Sequence, residues 1–449
     1  MTTSWPKPSA DGAQRGSLAT SWPAVHLTTL SNGLVVAVAP MAHLHAAAVS
    51  VFARVGSRYE DAGDNGLSHL LEHVLFRGCE AYPTSWELNV AAEQVTPGLG
   101  GATYRDFSAF DAVCAPDDVP AILDILGAML GRPLFAGVDL ERRVILEEIA
   151  DEVDERGRDI DVDNLAKRAL FPGDPIAFKI GGTPRRLAAF TEQDCRRWHA
   201  EHYVGRNMVV VVAGPVQAQE VARAAAAAFG DLPPGTRMPS RVPQVRPDLP
   251  AFEYTKASGS QTSIQLAWAL PGEASPDWTA LLAAQRLLDD GSCARLRQAI
   301  VEERCLAYDV SVDLEAYEGV SVMAVEATVS HKNATAVVDG MLEVLEALVR
   351  CPPEPEEWER MRRRYFFELS STVDSPGAVC SWIGLERLQM PHSGIRDRHD
   401  RMLALDPAAV ARAAERYLSP SRAQLTVVGE LDTMSRAALR RRMHRYRRA

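Results

Sequence analysis

The sequence predicts an α+β protein made of two homologous domains, each a mainly antiparallel sheet packed with helices. Three observations carry this. Short β-branched runs are interspersed with amphipathic helical stretches along the chain. The order of elements before a proline-rich stretch, 231–250, recurs after it. The ends of the two halves also match in kind. Trp198, Tyr203, Arg206 and the strand ending at Gly214 answer to Ala414, Tyr417, Arg422 and the strand ending at Gly429. A period of about 200 residues means a duplicated domain rather than a solenoid.

Taken in order, residues 1–24 form an N-terminal arm without apolar periodicity. Strands follow from Val25, at 34–38 and 47–55, bounded by Asn-Gly and Gly-Ser. An apolar stripe of Leu67, Leu70, Leu71, Val74 and Leu75 predicts a helix over 66–77 that Gly78 can end. A second helix spans 85–94, and a glycine-rich turn at 98–101 leads into an alternating strand, 103–114. Helices are expected at 119–129, 139–155, 165–170 and 192–202, then the buried strand 208–213 and the closing segment 221–229. This first domain covers 25–230, and 231–250 is the linker. The second domain, 251–449, has strands at 264–269, 308–314 and 320–329, and helices at 277–288, 293–303, 334–349, 355–371 and 376–388.

A chain of 449 residues exceeds one ordinary core. Its net charge of −11 argues against a nucleic-acid footprint and suits, weakly, the attraction of basic peptides. Cysteines 79, 114, 195, 293, 305, 351 and 380 are scattered and odd in number, as reduced thiols of a reducing compartment would be. No apolar run is long enough for a signal peptide or a membrane span, so the expected location is the cytoplasm.

The chemistry concentrates in Gly66-Leu-Ser-His-Leu-Leu-Glu-His-Val-Leu-Phe-Arg-Gly78. Its His69 and His73 are four residues apart, so both imidazoles leave one helix face. Two neutral imidazoles suit a zinc ion, which in catalytic sites takes a third protein ligand and keeps a position for water. Glu72, on the edge of the same face, can take a proton from that water. The acidic helix 139–155 is the obvious source of the third ligand. Glu141 and Glu148 are seven residues apart and nearly superposed along it, whereas Glu147 points about 100° away. Val144, Ile145 and Ile149 would bury this side. Glu147, Asp151, Glu152, Asp154 and Glu155 read as a solvated face. The corresponding helix of the second half, Trp278–Leu288, contains no histidine, so the chemistry belongs to the first.

These residues resemble the M16 (pitrilysin-like) zinc metallopeptidases, of the inverzincin H-x-x-E-H type, in the short form that includes mitochondrial processing peptidase and bacterial relatives. The family pairs H-x-x-E-H with a later segment like E-R-x-V-x-x-x-E. Here Glu141-Arg-Arg-Val-Ile-Leu-Glu-Glu148 ends 75 residues after His73. The resemblance covers roughly 25–430. It implies duplicated α/β-roll domains, zinc held by His69, His73 and Glu148, and Glu72 as general base. It also makes Glu141 a carboxylate that supports catalysis without binding the resting metal. Relatives carry Asn-Ala-x-Thr on the strand edge to which substrate adds. The counterpart is Gly100-Gly101-Ala102-Thr103, glycine-rich and without the Asn. They also carry an arginine seven residues before a tyrosine. Here Tyr308 is present, placed to donate to a developing oxyanion, but Val301 replaces the arginine.

The resemblance therefore implies a zinc-dependent endopeptidase that cleaves a peptide or an unfolded segment inside a chamber closed by two chains. The missing arginine points to a heterodimer with a homologous subunit that supplies it, with a homodimer as the alternative. The rival reading is a non-catalytic structural or peptide-binding subunit, from which the ligands are generally lost. An esterase or nuclease has no nucleophile motif or basic groove in its support.

Overall fold

The computed structural model describes residues 22–239, 241–389 and 394–446. Strands β1 (His26–Thr29), β2 (Val35–Pro40), β3 (Ala47–Ala53), β4 (Gly100–Thr103), β5 (Ser108–Cys114) and β6 (Met208–Gly214) form one sheet, ordered β1-β2-β6-β3-β5-β4. A second sheet holds β7 (Ala251–Lys256), β8 (Gln261–Pro271), β9 (Ser311–Tyr317), β10 (Val320–Ser330) and β11 (Gln424–Gly429), ordered β7-β11-β8-β10-β9. In each, one parallel pair, β2 with β6 and β7 with β11, adjoins an otherwise antiparallel ladder. Apart from the added β1, the two sheets share one topology, so the duplication predicted from the strand–helix order is present.

The helices of the first half are α1 (Leu67–Leu75), α2 (Ser85–Glu93), α3 (Val119–Gly131), α4 (Val138–Glu148), α5 (Val162–Leu170), α6 (Pro184–Leu187), α7 (Glu192–His202) and α8 (Ala218–Phe229). The second half adds α9 (Trp278–Asp289), α10 (Ala334–Arg350), α11 (Pro355–Thr372), α12 (Pro376–Leu388), α13 (Ile395–Ala404), α14 (Pro407–Tyr417) and α15 (Thr433–Tyr446). One face of the first sheet, through Val49, Val51 and Phe110, packs on Leu67, Leu71 and Val74 of α1 and on α3 and α8. The opposite face is covered from the other half: Val379, Cys380 and Ile383 of α12 lie on Ala37, Ala48, Phe52 and Val211. The exchange is reciprocal. Ala166 and Leu170 of α5, with Phe171, cover Ala267, Val322 and Ala324 of the second sheet. This is why β3, apart from its buried Ser50, and β6 read as continuous apolar runs: both faces are buried.

Several expectations change in detail. The single strand 103–114 is the hairpin β4–β5, closed where the Tyr104 N–H donates to Phe107 O at 2.8 Å. The helix 139–155 stops at Glu148; a 3-10 turn, Ala150–Glu152, follows, and beyond it Asp154 accepts the N–H groups of Arg156 and Arg158 at 2.9 Å each and turns the chain. Val144 is 37% exposed and does not join Ile145 and Ile149 in the core. Glu152 is not merely solvated but pairs with Lys179 at 2.6 Å. The helix expected at 293–303 is π-helical over Arg297–Glu302, and β9 begins at Ser311 rather than at 308. Strand β7 and helices α13 and α15 were not anticipated. The stretch 231–250 has no regular element in its described residues but is strapped down, with Met238 N–H donating to Asn207 Oδ1 at 3.0 Å and Arg246 N–H to Leu170 O at 2.8 Å. Of the N-terminal arm, residues 1–21 lie outside the described residues, and Trp22 meets the His399 ring edge-on. Among the described residues no helix is long and apolar enough to cross a membrane.

Candidate metal centre

Burial of Leu67, Leu70, Leu71, Val74 and Leu75 fixes the rotation of α1. His69 and His73 are thereby left on its other face, each with 17% of the side chain exposed. The N-terminus of α1 has no side-chain cap of its own. Gly66, at φ 99°, packs so closely that a Cβ there would lie 2.9 Å from Gly182 Cα. The open N–H groups are met instead by Glu60. Its carboxylate accepts from Ser68 N at 2.8 Å, Gly66 N at 2.9 Å and Asn65 Nδ2 at 3.0 Å. Burial pushes Glu60 up to about 7, against the pull of those three hydrogen bonds.

Helix α4 supplies the facing side. With Ile145 and Ile149 buried, Glu141 and Glu148 both turn toward the histidines. Glu141 Oε2 meets His73 Nδ1 at 2.9 Å, and its other oxygen is held by Arg77. A carboxylate at Nδ1 places the proton there and leaves the Nε2 lone pair free. His73 Nε2 lies 3.2 Å from His69 Nε2, and Glu148 Oε2 lies 3.6 Å from the former and 3.8 Å from the latter. Burial, and then the neighbouring His73, push His69 down to about 4, so its ring is neutral at pH 7.

These separations test whether a zinc ion suits the residues present. Nitrogen and oxygen ligands at about 2.05 Å in tetrahedral directions lie about 3.3 Å from one another. The three donor atoms of His69, His73 and Glu148 span 3.2–3.8 Å, so the donor set and its spacing fit. His69, Glu72 and His73 also converge, with ligand atoms within 4.8 Å of one another. Glu72 Oε2, however, is 4.0 Å from His69 Nε2 and already accepts a hydrogen bond from Thr103 Oγ1 at 3.3 Å. Burial raises the Glu72 pKa. Beside it a cavity of about 330 Å³ is lined by Glu72, His73, Phe76, Arg77, Ser85, Asn89 and Glu141.

The segment Gly100-Gly101-Ala102-Thr103 is β4, the terminal strand of its sheet, paired with β5 on one side only. Its glycines do more than loosen the edge. A Cβ on Gly101 would stand 2.5 Å from the Phe76 ring and 2.7 Å from Glu72 Oε1, so the bare backbone lets the strand lie against Glu72. Tyr308 is not brought to this cluster. It is 94% exposed in the second half, and Val301 packs partly buried on the second core. Sequence reasoning missed Arg77 and Glu60. Arg77 follows His73 by one helical turn and was open to the spacing argument that found Glu141. Glu60 caps from a preceding loop and leaves no local signature.

Comparison with known proteins gives concordant matches. The sequence profile of the insulinase family (peptidase family M16) matches residues 35–176, and that of the peptidase M16 inactive domain matches 189–365. An uncharacterized zinc protease of Mycobacterium leprae is 30% identical over 71% of this chain and 72% of its own. A similar zinc protease of Streptomyces coelicolor is 30% identical over 64% of this chain, and the beta subunit of a mitochondrial-processing peptidase from Blastocladiella emersonii is 30% identical over 59%. Those matches span 63% and 57% of the two relatives, under two thirds of each. The crystal structure of a protease from Helicobacter pylori superposes with a TM-score of 0.84 at 19% identity, over 91% of this chain and all of that one.

Proposed function

The chain belongs to peptidase family M16, and on that premise we propose that it is a zinc-dependent endopeptidase acting on a peptide or an unfolded segment. The observation that carries this is the convergence of His69, His73 and Glu148 at tetrahedral spacing beside a separate carboxylate, Glu72. A zinc ion held by the three would supply Lewis acidity to polarise a scissile carbonyl. Glu72 takes a proton from the attacking water, and its burial makes it a stronger base than an exposed carboxylate. Glu141, anchored by Arg77, keeps His73 in the tautomer whose Nε2 faces the centre. A substrate strand adds to the free edge of β4, which brings its backbone past Glu72.

Tyr308, far out on the second half, serves in this reading from a second chain that closes over the site. Val301 brings no cation to that wall, so the partner is a homologous subunit carrying the arginine, with a homodimer as the alternative. The kinship with a processing-peptidase subunit supports such an assembly. Seven unpaired cysteines support a reducing compartment, the cytoplasm.

The test is a set of purified variants scored for metal and for peptide hydrolysis. Glu72→Gln should retain about one zinc per chain and lose hydrolysis, because the base is not a ligand, whereas His69→Ala and His73→Ala should lose both. Glu148→Gln should lose zinc where Glu147→Gln does not. Near-normal turnover by Glu72→Gln would overturn the assignment.

A further inference from the structure

Thr103 was expected, from its place in the Gly100–Thr103 edge, to bind substrate. Its side chain is committed elsewhere. Thr103 Oγ1 lies 3.3 Å from Glu72 Oε2 and 3.3 Å from Ser108 Oγ, its partner in the β4–β5 register. Ser108 is fully buried and reaches Val55 O at 3.0 Å, a bond in which its own proton must be the donor. The acceptor lone pairs of Ser108 therefore remain for Thr103, whose single proton can go only to Glu72 or to Ser108. An ionised Glu72 accepts only, and the charged acceptor takes that proton.

The contact falls on the oxygen that matters. Oε2 is the Glu72 oxygen 4.0 Å from His69 Nε2, and so the one facing the donor cluster. Oε1 lies on the Gly101 side, where a Cβ on Gly101 would stand 2.7 Å from it and no room remains for a side chain. Strand β4 thus meets both ends of the carboxylate: the side-chain-free Gly101 beside one oxygen, a hydroxyl on the other. A carboxylate oxygen has two lone pairs, and occupying one with Thr103 directs the second at the centre.

We infer that Thr103 is a positioning residue for Glu72 rather than a substrate contact, fixing the base from the strand whose free edge receives the peptide. The inference rests on the reading of Glu72 as general base. It makes one short strand serve two tasks, so that the substrate backbone and the proton acceptor are held in a common register. Nothing in the transfer changes its balance. The water's proton goes to Oε2, the hydroxide to the carbonyl carbon, and Thr103 is then free to turn its proton to Ser108.

Three substitutions test this, read by steady-state kinetics, zinc content, and the affinity of an uncleaved peptide for the Glu72→Gln protein. Thr103→Val, nearly isosteric, should lower kcat about tenfold, equivalent to about 1.4 kcal/mol, with KM and zinc content unchanged. Thr103→Ser should restore most of the rate. In the Glu72→Gln background, adding Thr103→Val should change neither the residual rate nor the peptide Kd by more than about twofold, because Thr103 acts through Glu72. A Thr103→Val protein with raised KM and unchanged kcat, or one that weakens peptide binding in the Glu72→Gln background, would restore the substrate-contact role and sink the inference. Full activity of Glu72→Gln would instead remove the function on which it rests.

Discussion

Replacing Glu141 by Gln should loosen zinc binding without touching a ligand. The carboxylate has two acceptor oxygens and faces donors on both: His73 Nδ1 at 2.9 Å and the Arg77 guanidinium. An amide offers one acceptor and two donors, so it cannot serve both. If its oxygen stays on His73, a neutral hydrogen bond replaces a charge-assisted one about twice as strong, and its NH₂ group is pressed against Arg77. The loss of about 1.5 kcal/mol falls on the bond that fixes the ring's tautomer, and corresponds to about tenfold in zinc affinity. Glu141→Ala, which abandons both donors in a site only 3% exposed, should approach 100-fold. Competition with a chromophoric chelator at pH 7.5 gives the zinc Kd directly, and melting of the metal-free proteins shows whether the fold survived. Wild-type zinc affinity in both variants would refute the idea that Glu141 orients His73.

Glu60 makes a pH prediction. Burial holds it at about 7 in the folded chain against 4.5 when exposed, so its contribution is intact below 4.5 and is lost as pH rises toward 7. Between pH 5 and 8 metal-free wild type should therefore lose stability relative to Glu60→Gln, by something on the order of 3 kcal/mol, and a Tm difference that stays flat across that range would contradict it. Cys305, exposed at φ 49° where the π-helical stretch ends, is held in the left-handed region. Cys305→Gly should raise the free energy of unfolding by about 0.5–1 kcal/mol in denaturant melts, and no gain would mean that the position is unstrained. At Gly384 a Cβ would run into the Phe52 ring across the α12 contact. Gly384→Ala should cost about 1–3 kcal/mol, part of it recovered by Phe52→Leu, and an unchanged melt would show that α12 is not tightly seated.

What was legible in the sequence was whatever a helix maps from spacing to direction. His69, Glu72 and His73 on α1 and the seven-residue step from Glu141 to Glu148 on α4 are local facts, and the structure brings those side chains together. What escaped depended on partners distant in the chain. The β4–β5 turn lacks the usual glycine or proline, because its Arg105 and Asp106 are drawn into contacts elsewhere. Arg105 reaches Asn164 Oδ1 at 3.0 Å, and Asp106 lies 3.7 Å from Arg58 and accepts from Glu318 N at 3.4 Å. The charge-rich run after Glu148 read as helix, but its residues are held by partners outside it: Glu152 pairs with Lys179, and Asp154 caps the turn to Arg158. Likewise nothing in the apolar periodicity of α5 or α12 says which of two sheets each will cover.

The exchange of α5 and α12 governs how the molecule can move. A shell of two separate lobes could gape at the strap between them. Here each lobe carries the other's lid, and prying them apart would strip apolar faces from both sheets at once and unmake the contacts of Arg54 with Leu388 O and Glu318. A cut anywhere in 231–250 would leave the pieces clasped. In the two-chain chamber proposed above, the aperture that admits a peptide to Glu72 would therefore open along the rim between the chains, with each chain swinging as a single jaw.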